Sequence, residues 1–325
     1  MPLRLAALLA VGLCCCSHPS QFKRDFAAAP ALLSLPAVDD LFAVSDPHGD
    51  HARLSALLKV AGLSDGAMDP SKARWTGGGA TLVCTGDLID KGSEGLQVIA
   101  LLRALQVGAP ATGGRVVVTM GNHEAEFLAD ASASKVSDFA RELKGAGIDP
   151  VAVGAGAAEP GPFLGNLPFG VRVGDWFFAH GGDPQDLGFE ALDAFLRGDV
   201  EAHGFGAQAL SAETSLLEAR LGGSNWWDRY GKDPDQVLQR LTAQLGVRHL
   251  VQGHQPVKVT FPDGAVRQRG VLFEKYGGKL VLLDVGMSRA VDDSSGALLH
   301  VHRAGGKTVA TVIHADGTGS PLWSD

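Results

Sequence analysis

The sequence predicts an α/β fold, and two repeated patterns indicate it. Apolar runs of strand length end in polar clusters: "LFAV" before "SDPHGD", "TLVC" before "TGDLIDKG", "VVVTM" before "GNHE", "WFFA" before "HGGD", "HLV" before "QGHQ" and "LVLLDV" before "GMS". Amphipathic segments lie between several of these runs. Because alternating strands and helices form a sheet whose ligands gather beyond the strand ends, we expect the polar clusters to face one crevice.

The apolar runs are rich in β-branched and aromatic residues and lack strict alternation, which is typical of strands covered on both faces. The segments "ARLSALLKVAGL" and "GLQVIALLRALQ" repeat apolar residues at helical spacing and predict helices. Two long intervals interrupt this rhythm, a Gly/Ala/Pro-rich one at 124–170 and one of helical pattern at 184–246. We expect both to be cap elements that lie over the site and set substrate choice.

At 325 residues, the chain is long enough to bury a sizeable core, and we expect one domain with insertions over residues 38–325. The net charge of −8 argues against a non-specific nucleic-acid binder, which needs a basic surface to displace counterions. An anionic substrate therefore needs local positive charge at its site.

The first residues, "MPLRLAALLAVGLCCC" at 1–16, predict an export signal. One cation precedes an apolar run, Leu5–Leu13, that is too short to span a bilayer as a helix. The cysteines at 14–16 indicate a lipoprotein signal, with a plain secretory signal as the alternative, so a lipidated cysteine would tether the chain to a membrane. We expect a periplasmic or membrane-anchored protein.

Residues 17–37 mix polar, Ala and Pro residues without clean periodicity and predict a linker. Beyond it, Cys84 is the lone cysteine of the chain. The mature domain therefore forms no internal disulfide, although its expected destination is oxidising.

The polar clusters contain residue types that bind metals. Their candidate ligands are Asp46, His48, Asp87, Asp90, Asn122, His123, His180 and His254. Mixed carboxylate, amide and imidazole groups on separate strand ends suit a pair of divalent transition metals, and there is no thiolate to favour a structural zinc site. Two metals need a shared carboxylate, for which Asp87 is the candidate. The alternative for the Asp and Asn residues is turn and helix-capping chemistry.

Five motifs in order, "DPHGD", "GDLIDKG", "GNHE", "HGG" and "GHQP", span residues 46–256. Together they resemble the calcineurin-like metallophosphoesterase superfamily, in particular its phosphoprotein-phosphatase branch. "SNWWDRYG" and "DVGMSRA" resemble the bacterial Shewanella-like phosphatases. The resemblance implies a β-sandwich flanked by helices, with helical cap insertions and a dimetal site at the carboxyl ends of the strands.

The resemblance also implies a role for each ligand position: one metal is held by Asp46 and His48, Asp87 bridges, and the other metal is held by Asn122, His180 and His254. In such a site, a hydroxide bridging the two metals attacks phosphorus directly. The metals stay open among Mn, Fe and Zn, since all three accept this ligand set.

By the same resemblance, His123 is the general acid, and Asp90 holds its imidazole in place. Asn122 also contacts the substrate. Lys91 stands where the family usually has arginine, so the planar fork that binds phosphate through two hydrogen bonds is missing there. Arg229 is the better phosphate clamp, with a surface or interface role as the alternative for both cations.

We therefore expect a dimetal phosphomonoesterase acting on phosphoproteins that bear phospho-Ser, phospho-Thr or phospho-Tyr. A small phosphorylated metabolite or a dinucleoside polyphosphate is the alternative substrate. A catalytically silent scaffold with the same fold is the alternative of another class. Asp50 is expected to start a helix, and the alternating "HVH" at 300–302 is not expected to form a third metal site. The oligomeric state stays open.

Overall fold

A computed structural model describes residues 22–222 and 225–325 of the chain. The export signal expected at 1–16 lies outside the described residues. In the described part of the chain, no helix combines the length and the apolar character needed to cross a membrane.

The described strands, in chain order, are β1 (Leu32–Leu35), β2 (Asp40–Val44), β3 (Thr81–Cys84), β4 (Arg115–Val118), β5 (Gly170–Val173), β6 (Trp176–Ala179), β7 (His249–Gln252), β8 (Val259–Thr260), β9 (Val266–Arg267), β10 (Phe273–Lys275), β11 (Leu280–Leu282), β12 (Ala297–Ala304), β13 (Lys307–His314) and β14 (Gly319–Ser324). Each apolar run singled out in the sequence forms one of them. The fold is α/β, as predicted.

The described α-helices are α1 (His51–Val60), α2 (Gly95–Gly108), α3 (Asn122–Ala129), α4 (Ser137–Gly145), α5 (Pro150–Gly154), α6 (Gly161–Gly165), α7 (Phe189–His203), α8 (Gln208–Ser211) and α9 (Pro234–Leu245). Both helices expected from amphipathic spacing form, as α1 and α2. Asp50 caps the first turn of α1 by accepting a hydrogen bond from the backbone N–H of Arg53, as expected of a helix-start residue.

Two six-stranded sheets, flanked by helices, share one hydrophobic core. One has the order β1-β5-β6-β7-β11-β10, and the other has the order β14-β13-β12-β2-β3-β4. Strands β2, β3 and β4 run parallel, and so do β6, β7 and β11. The carboxyl ends within each parallel group therefore meet at one edge of its sheet, which is where the polar clusters lie.

The linker expected at 17–37 is wrong over residues 32–35, because these residues form β1. This strand pairs in parallel with β5, with Leu32 opposite Gly170. Just before it, Arg24 donates hydrogen bonds to the carbonyl oxygens of Ala29, at 2.9 Å, and Pro30, at 2.6 Å. A four-residue edge strand whose partner is distant in the chain leaves no periodic pattern in the local sequence.

The two intervals expected to be caps are helical. Residues 124–170 contain α4, α5 and α6, and residues 184–246 contain α7, α8 and α9. Each interval brings a group to the polar edge: the backbone N–H of Phe139 bonds to Asp90, and Glu218 approaches His254. Their effect on substrate choice stays a prediction.

Candidate metal centre

The candidate ligands lie on loops that follow strands. Asp46 and His48 follow β2, Asp87 follows β3, Asn122 and His123 open α3 after β4, His180 follows β6, and His254 follows β7. All of these side chains are buried. The turn and capping alternative does not account for burying so many polar side chains together, since a buried polar group needs a partner.

Several of these residues have a left-handed backbone, which side chains other than glycine rarely adopt. The φ angles are 52° at Asp46, 39° at His48, 51° at Asp87, 62° at Asp90 and 63° at His254. Each such residue costs free energy, of the order of 1–3 kcal/mol where the conformation is strained, and such conformations cluster at functional sites. The loops thus hold these side chains in fixed positions at some cost in stability.

Close approach of two loops requires glycine at one further position. A Cβ atom on Gly86, whose φ is 89°, would lie 2.6 Å from the Cα atom of Gly121. The loop after β3 can therefore pack against the loop after β4, which brings Asp87 next to Asn122 and His123.

Asp87 is the common member of two groups of side chains. Its Oδ2 atom lies 3.3 Å from Nε2 of His48 and 3.3 Å from Nε2 of His180. Ligand atoms of Asp87, His48 and His123 lie within 4.8 Å of one another, and so do those of Asp87, His180 and His254. A carboxylate with an imidazole on each side could be shared by two neighbouring ions.

Backbone carbonyls fix the imidazoles on both sides of Asp87. Nδ1 of His48 lies 3.2 Å from the carbonyl oxygen of Ile89, and Nδ1 of His180 lies 2.8 Å from that of Thr85. A hydrogen bond at Nδ1 leaves Nε2 as the free ligand atom, as is common in metal-binding histidines. Both Nε2 atoms face Asp87.

Asn122 and His254 complete the second group. Oδ1 of Asn122 lies 3.0 Å from Nε2 of His180, and the rings of His180 and His254 are 4.6 Å apart between centroids. Nε2 of His254 is buried and makes no hydrogen bond, although Oε2 of Glu218 lies 3.4 Å away. A buried nitrogen without a hydrogen bond is costly, so this group fits a site for a further ligand.

Asp46 lies beside the second group and belongs to neither group of close ligand atoms. Its Oδ1 and Oδ2 accept from the backbone N–H of His254, at 3.2 and 3.1 Å, and Oδ1 lies 3.9 Å from Nδ1 of His180. Burial, then the nearby Asp284 carboxylate, raises the pKa of Asp46 well above its usual range. A cation would relieve this cost, so the position suits a metal ligand.

The charges of the site also suit cations. Burial opposes ionisation of Asp87, but His180, His123 and His48 outweigh it and hold the pKa of Asp87 well below its usual range. Burial lowers the pKa values of His48 and His254 to about 4, so both imidazoles are neutral at pH 7. Burial also acts to lower the pKa of His180, but the carboxylates of Asp87 and Asp46 outweigh it and raise that pKa to about 10, so a metal ion would displace a proton from this imidazole. The imidazoles and the carboxylates fit a pair of divalent transition metals.

His123 lies next to this centre and contacts Asp90. Nδ1 of His123 lies 3.3 Å from Oδ2 of Asp90, whose Oδ1 accepts from the backbone N–H of Phe139 at 2.9 Å. Burial acts to lower the pKa of His123, but the carboxylates of Asp87 and Asp90 outweigh it and raise the pKa. The arrangement favours a protonated imidazole held in one orientation.

The two candidate phosphate-binding cations differ in their surroundings. Lys91 is exposed on the same left-handed loop as Asp90, with φ of 65°. Arg229 is paired through Nη2 with the buried Asp183 at 2.7 Å and also bonds to Gln185 at 3.1 Å. Part of its guanidinium is thus already occupied by protein groups.

Arg229 lines a cleft of about 560 Å³ whose wall includes Lys135, Arg220 and Glu218. Because Glu218 also contacts His254, the cleft adjoins the candidate metal centre. The wall of the cleft carries side chains of both charge signs.

Sequence reasoning gave no role to two buried carboxylates. Glu124 accepts hydrogen bonds at 2.8 Å from the backbone N–H groups of Asp87, Leu88 and Gly121, so it ties the loop after β3 to the start of α3. Asp284 follows β11, and burial raises its pKa to about 6. Glu124 lies in "GNHE" and Asp284 in "LVLLDV". Their positions at or after the ends of predicted strands, like those of the candidate ligands, are the sequence feature that could have indicated a role for them.

A two-sheet α/β fold with carboxylate, amide and imidazole side chains at its strand ends is the arrangement expected of a metal-dependent phosphoesterase. The profile of the calcineurin-like phosphoesterase family matches residues 41–258, and the chain belongs to this family. The family uses divalent metals, and the groups around Asp87 could hold them.

The chain is similar to Shewanella-like protein phosphatase 2 of Arabidopsis thaliana, with 26% identity over 83% of this chain and 77% of that protein. It is also similar to a symmetrical bis(5'-nucleosyl)-tetraphosphatase of Methylococcus capsulatus, with 28% identity over 58% of this chain and 60% of that protein. The solved structure of a cold-active protein-tyrosine phosphatase from a psychrophilic Shewanella species shares the fold, with a TM-score of 0.68 and 21% identity over 93% of this chain and 83% of that one.

Proposed function

We propose that this metallophosphoesterase is a dimetal phosphatase that hydrolyses phosphomonoesters. The observation that carries the proposal is the position of Asp87 Oδ2, 3.3 Å from Nε2 of both His48 and His180. By resemblance to the family, Asp46 and His48 would hold the first ion and Asn122, His180 and His254 the second, with Asp87 shared. The carboxylate of Asp46 lies nearer to His254 and His180 than to His48, so in this assignment it would face both ions. When bound, such ions supply an activated water as nucleophile and positive charge for the phosphoryl oxygens.

His123 is the general acid of this proposal. Its Nδ1–H points to the carboxylate of Asp90, which leaves Nε2 to give a proton to the departing alkoxide. Asp90 keeps the imidazole oriented and, with Asp87, favours its charged form. Lys91, Arg229 and the amide of Asn122 would contact the phosphoryl oxygens of the substrate. The two cations would supply local positive charge in a chain of net charge −8.

We infer that the substrates are phosphoproteins, either phospho-Ser/Thr or phospho-Tyr. Two protein phosphatases, one similar in sequence and one similar in fold, support this class. The cleft beside His254 also supports it, because a wall with both charge signs suits a peptide chain. The similarity to a bis(5'-nucleosyl)-tetraphosphatase favours a dinucleoside polyphosphate as the second candidate.

The first experiment measures hydrolysis of p-nitrophenyl phosphate by the chelated protein, before and after adding back Mn, Fe or Zn. We expect activity to return with metal, to exceed that on bis-p-nitrophenyl phosphate, and to fall by about 10²- to 10⁴-fold in His123→Asn. The matched control is His203→Asn, an exposed histidine on α7. Inactivity with every metal, despite two bound ions, would contradict the proposal and favour a scaffold.

A second experiment compares peptides bearing phospho-Ser, phospho-Thr or phospho-Tyr with a dinucleoside tetraphosphate, all at equal metal loading. Higher kcat/KM on one of the peptides supports the phosphoprotein assignment. Higher kcat/KM on the dinucleoside tetraphosphate would reject it while leaving the dimetal mechanism intact.

We also infer that the chain is exported and lipidated at one of the cysteines at 14–16. The support is the sequence alone: an apolar run after one cation, then consecutive cysteines. Growing the cells with a radiolabelled fatty acid tests the lipidation, and fractionating the cells tests the export. Label that stays on the chain after Cys→Ser replacement at all three positions would exclude lipidation there.

A further inference from the structure

A second group of histidine and aspartate side chains lies at the other end of β2. His300 and His302 are two residues apart on β12, so both point to the same face of the sheet. Asp40, the first residue of β2, pairs directly with His302 across the two antiparallel strands. Oδ1 of Asp40 lies 2.8 Å from Nε2 of His300 and 2.8 Å from Nδ1 of His302.

We propose that Asp40, His300 and His302 form a peripheral binding site for a divalent transition metal such as Zn²⁺. These ligand atoms lie within 4.8 Å of one another. With metal–ligand distances of about 2.1 Å, neighbouring ligand atoms are roughly 3.0 Å apart in octahedral and 3.4 Å apart in tetrahedral geometry. The two observed separations of 2.8 Å to Asp40 are hydrogen-bond distances. They lie about 0.2 Å below the octahedral value and about 0.6 Å below the tetrahedral one, so the side chains would move apart slightly to hold an ion.

The site is partly built in advance. The ring of His300 stacks on Phe42, with 4.1 Å between centroids and 2° between planes, and Phe42 is buried. This contact fixes the plane of the imidazole, so less side-chain entropy is lost on metal binding. The side chain of His302 is 50% exposed, which leaves an entry path and open coordination positions for water.

The donor chemistry selects the class of ion. Two imidazoles and one carboxylate suit Zn, Co, Ni, Cu and Fe(II) better than Mg or Ca, which prefer oxygen ligands. Both imidazole nitrogens face the same oxygen of Asp40, so an ion bound here would replace these two hydrogen bonds with metal–ligand bonds.

The peripheral site is separate from the centre around Asp87. Strand β2 runs from Asp40 to Val44, and its four steps of extended chain put roughly 13 Å between Asp40 and the strand end that precedes Asp46. An ion held by Asp40 from β2 and by two histidines from β12 would link the two strands, and an ion that binds only the folded chain stabilises it. The inference does not depend on the proposed phosphatase activity.

The test counts Zn²⁺ per chain by equilibrium dialysis and elemental analysis over rising free Zn²⁺, in the wild type and in His302→Ala. We expect His302→Ala to bind one ion fewer than the wild type and to gain less in Tm from added Zn²⁺. The matched control is His203→Ala, which removes an exposed histidine paired with Asp199 at 2.6 Å and should keep the wild-type count.

Asp40→Asn is the second variant, because it keeps the size of the side chain and removes the anionic ligand. Circular dichroism without metal shows that each variant is folded before its ions are counted. Equal zinc counts and equal Tm gains in the wild type, His302→Ala and Asp40→Asn would overturn the proposal. A loss shared by His203→Ala would assign the extra ion to non-specific surface binding and overturn it as well.

Discussion

Strand β2 has a cluster of histidine and aspartate residues at each end, and the two clusters are built differently. Beyond its carboxyl end, Asp46 and His48 are buried on left-handed backbone. At its amino end, Asp40 meets His300 and His302 through ordinary antiparallel pairing, and all three are at least partly exposed. The same types of side chain are thus brought together in two ways. Strained loops do so at some cost in stability, and strand register does so at little cost.

The difference suggests what each cluster can do. A buried cluster replaces water around its ligands, so charges there interact strongly and the geometry is held fixed. An exposed cluster keeps its water and exchanges ions more easily. We therefore expect changes at the buried centre to have large effects, and changes at exposed groups to have small ones.

The largest effect is expected from Asp87→Asn. The carboxylate between His48 and His180 is lost while its shape is kept, so we expect fewer than two bound ions. Losing several kcal/mol of charge stabilisation lowers kcat/KM by at least about 10³-fold. Metal content by elemental analysis and p-nitrophenyl phosphate kinetics check both expectations.

Asp50→Asn is the matched control for that variant. Asp50 is buried near His48, but it caps α1 and accepts a hydrogen bond from Arg289 at 2.9 Å. Asparagine is also a good N-cap residue, so two ions and most activity should remain. If both variants lose metal alike, the bridging position of Asp87 is not what holds the ions.

The second effect concerns Glu124, which anchors the left-handed loop. In Glu124→Gln, an amide NH₂ would face backbone N–H groups of Asp87 and Gly121 that now donate to carboxylate oxygens. Because the loop orients a metal ligand, we expect metal affinity to fall by about 10- to 100-fold. Competition with a chelating dye measures it.

Glu126→Gln, two residues further along α3, is the matched control, since Glu126 pairs with the exposed Lys135 at 2.7 Å. Unchanged metal affinity in both variants would mean that the loop keeps its shape without its carboxylate anchor.

Much of this architecture is readable from sequence for a physical reason. A left-handed, buried turn needs particular residues, so "DPHGD", "GDLIDKG" and "GNHE" carry glycine and polar residues at fixed spacing. Strands buried on both faces need apolar runs, which predicted β2, β3, β4, β6, β7 and β11. Local sequence therefore indicated both the core strands and the residues after them.

Features made by pairing across the chain were not readable. β1 was assigned to a linker because its partner β5 begins at Gly170, far along the sequence. The sequence argued against a metal site at "HVH" 300–302, because the third ligand proposed above, Asp40, lies 260 residues before His300. Nor did the sequence show that Asp183 is paired with Arg229, since that contact depends on how the loop after β6 meets the cleft.

His249 shows the effect of burial on a histidine that lies in regular backbone. His249 is buried like the ligands but lies within the regular strand β7, stacked on Trp176 with 3.8 Å between centroids. Burial lowers its pKa from 6.5 to about 4. The unfolded chain therefore binds a proton at a higher pH than the folded chain, and stability is lost as pH falls from about 6.5 towards 4.

His249→Asn and His249→Phe should reduce this loss. Between pH 7 and pH 5, we expect the free energy of unfolding of the wild type to fall by about 2 kcal/mol more than that of either variant. Urea unfolding at each pH measures the difference, and other titrating groups cancel because all three proteins share them. Parallel pH profiles would show that burial does not lower the pKa of His249.

The smallest effect is expected at Lys91, which shares the strained loop of Asp90 but has an exposed side chain. A solvated ammonium contributes about 0.2–1 kcal/mol to an ion pair, so Lys91→Met should raise KM for a phosphomonoester by only about 1.4- to 5-fold. Lys91→Arg should lower KM, since a planar guanidinium binds two phosphate oxygens at once.

Lys144→Met, an exposed lysine in the last turn of α4, is the matched control and should leave KM unchanged. Steady-state kinetics on one substrate at fixed metal loading measures all three variants. A fall in kcat of more than about 100-fold in Lys91→Met would instead place its ammonium on the reacting phosphoryl group, since charge that stabilises the transition state alone acts on kcat. Exposure in the free enzyme would then be a poor guide to effect size, because substrate itself would remove the water around this side chain.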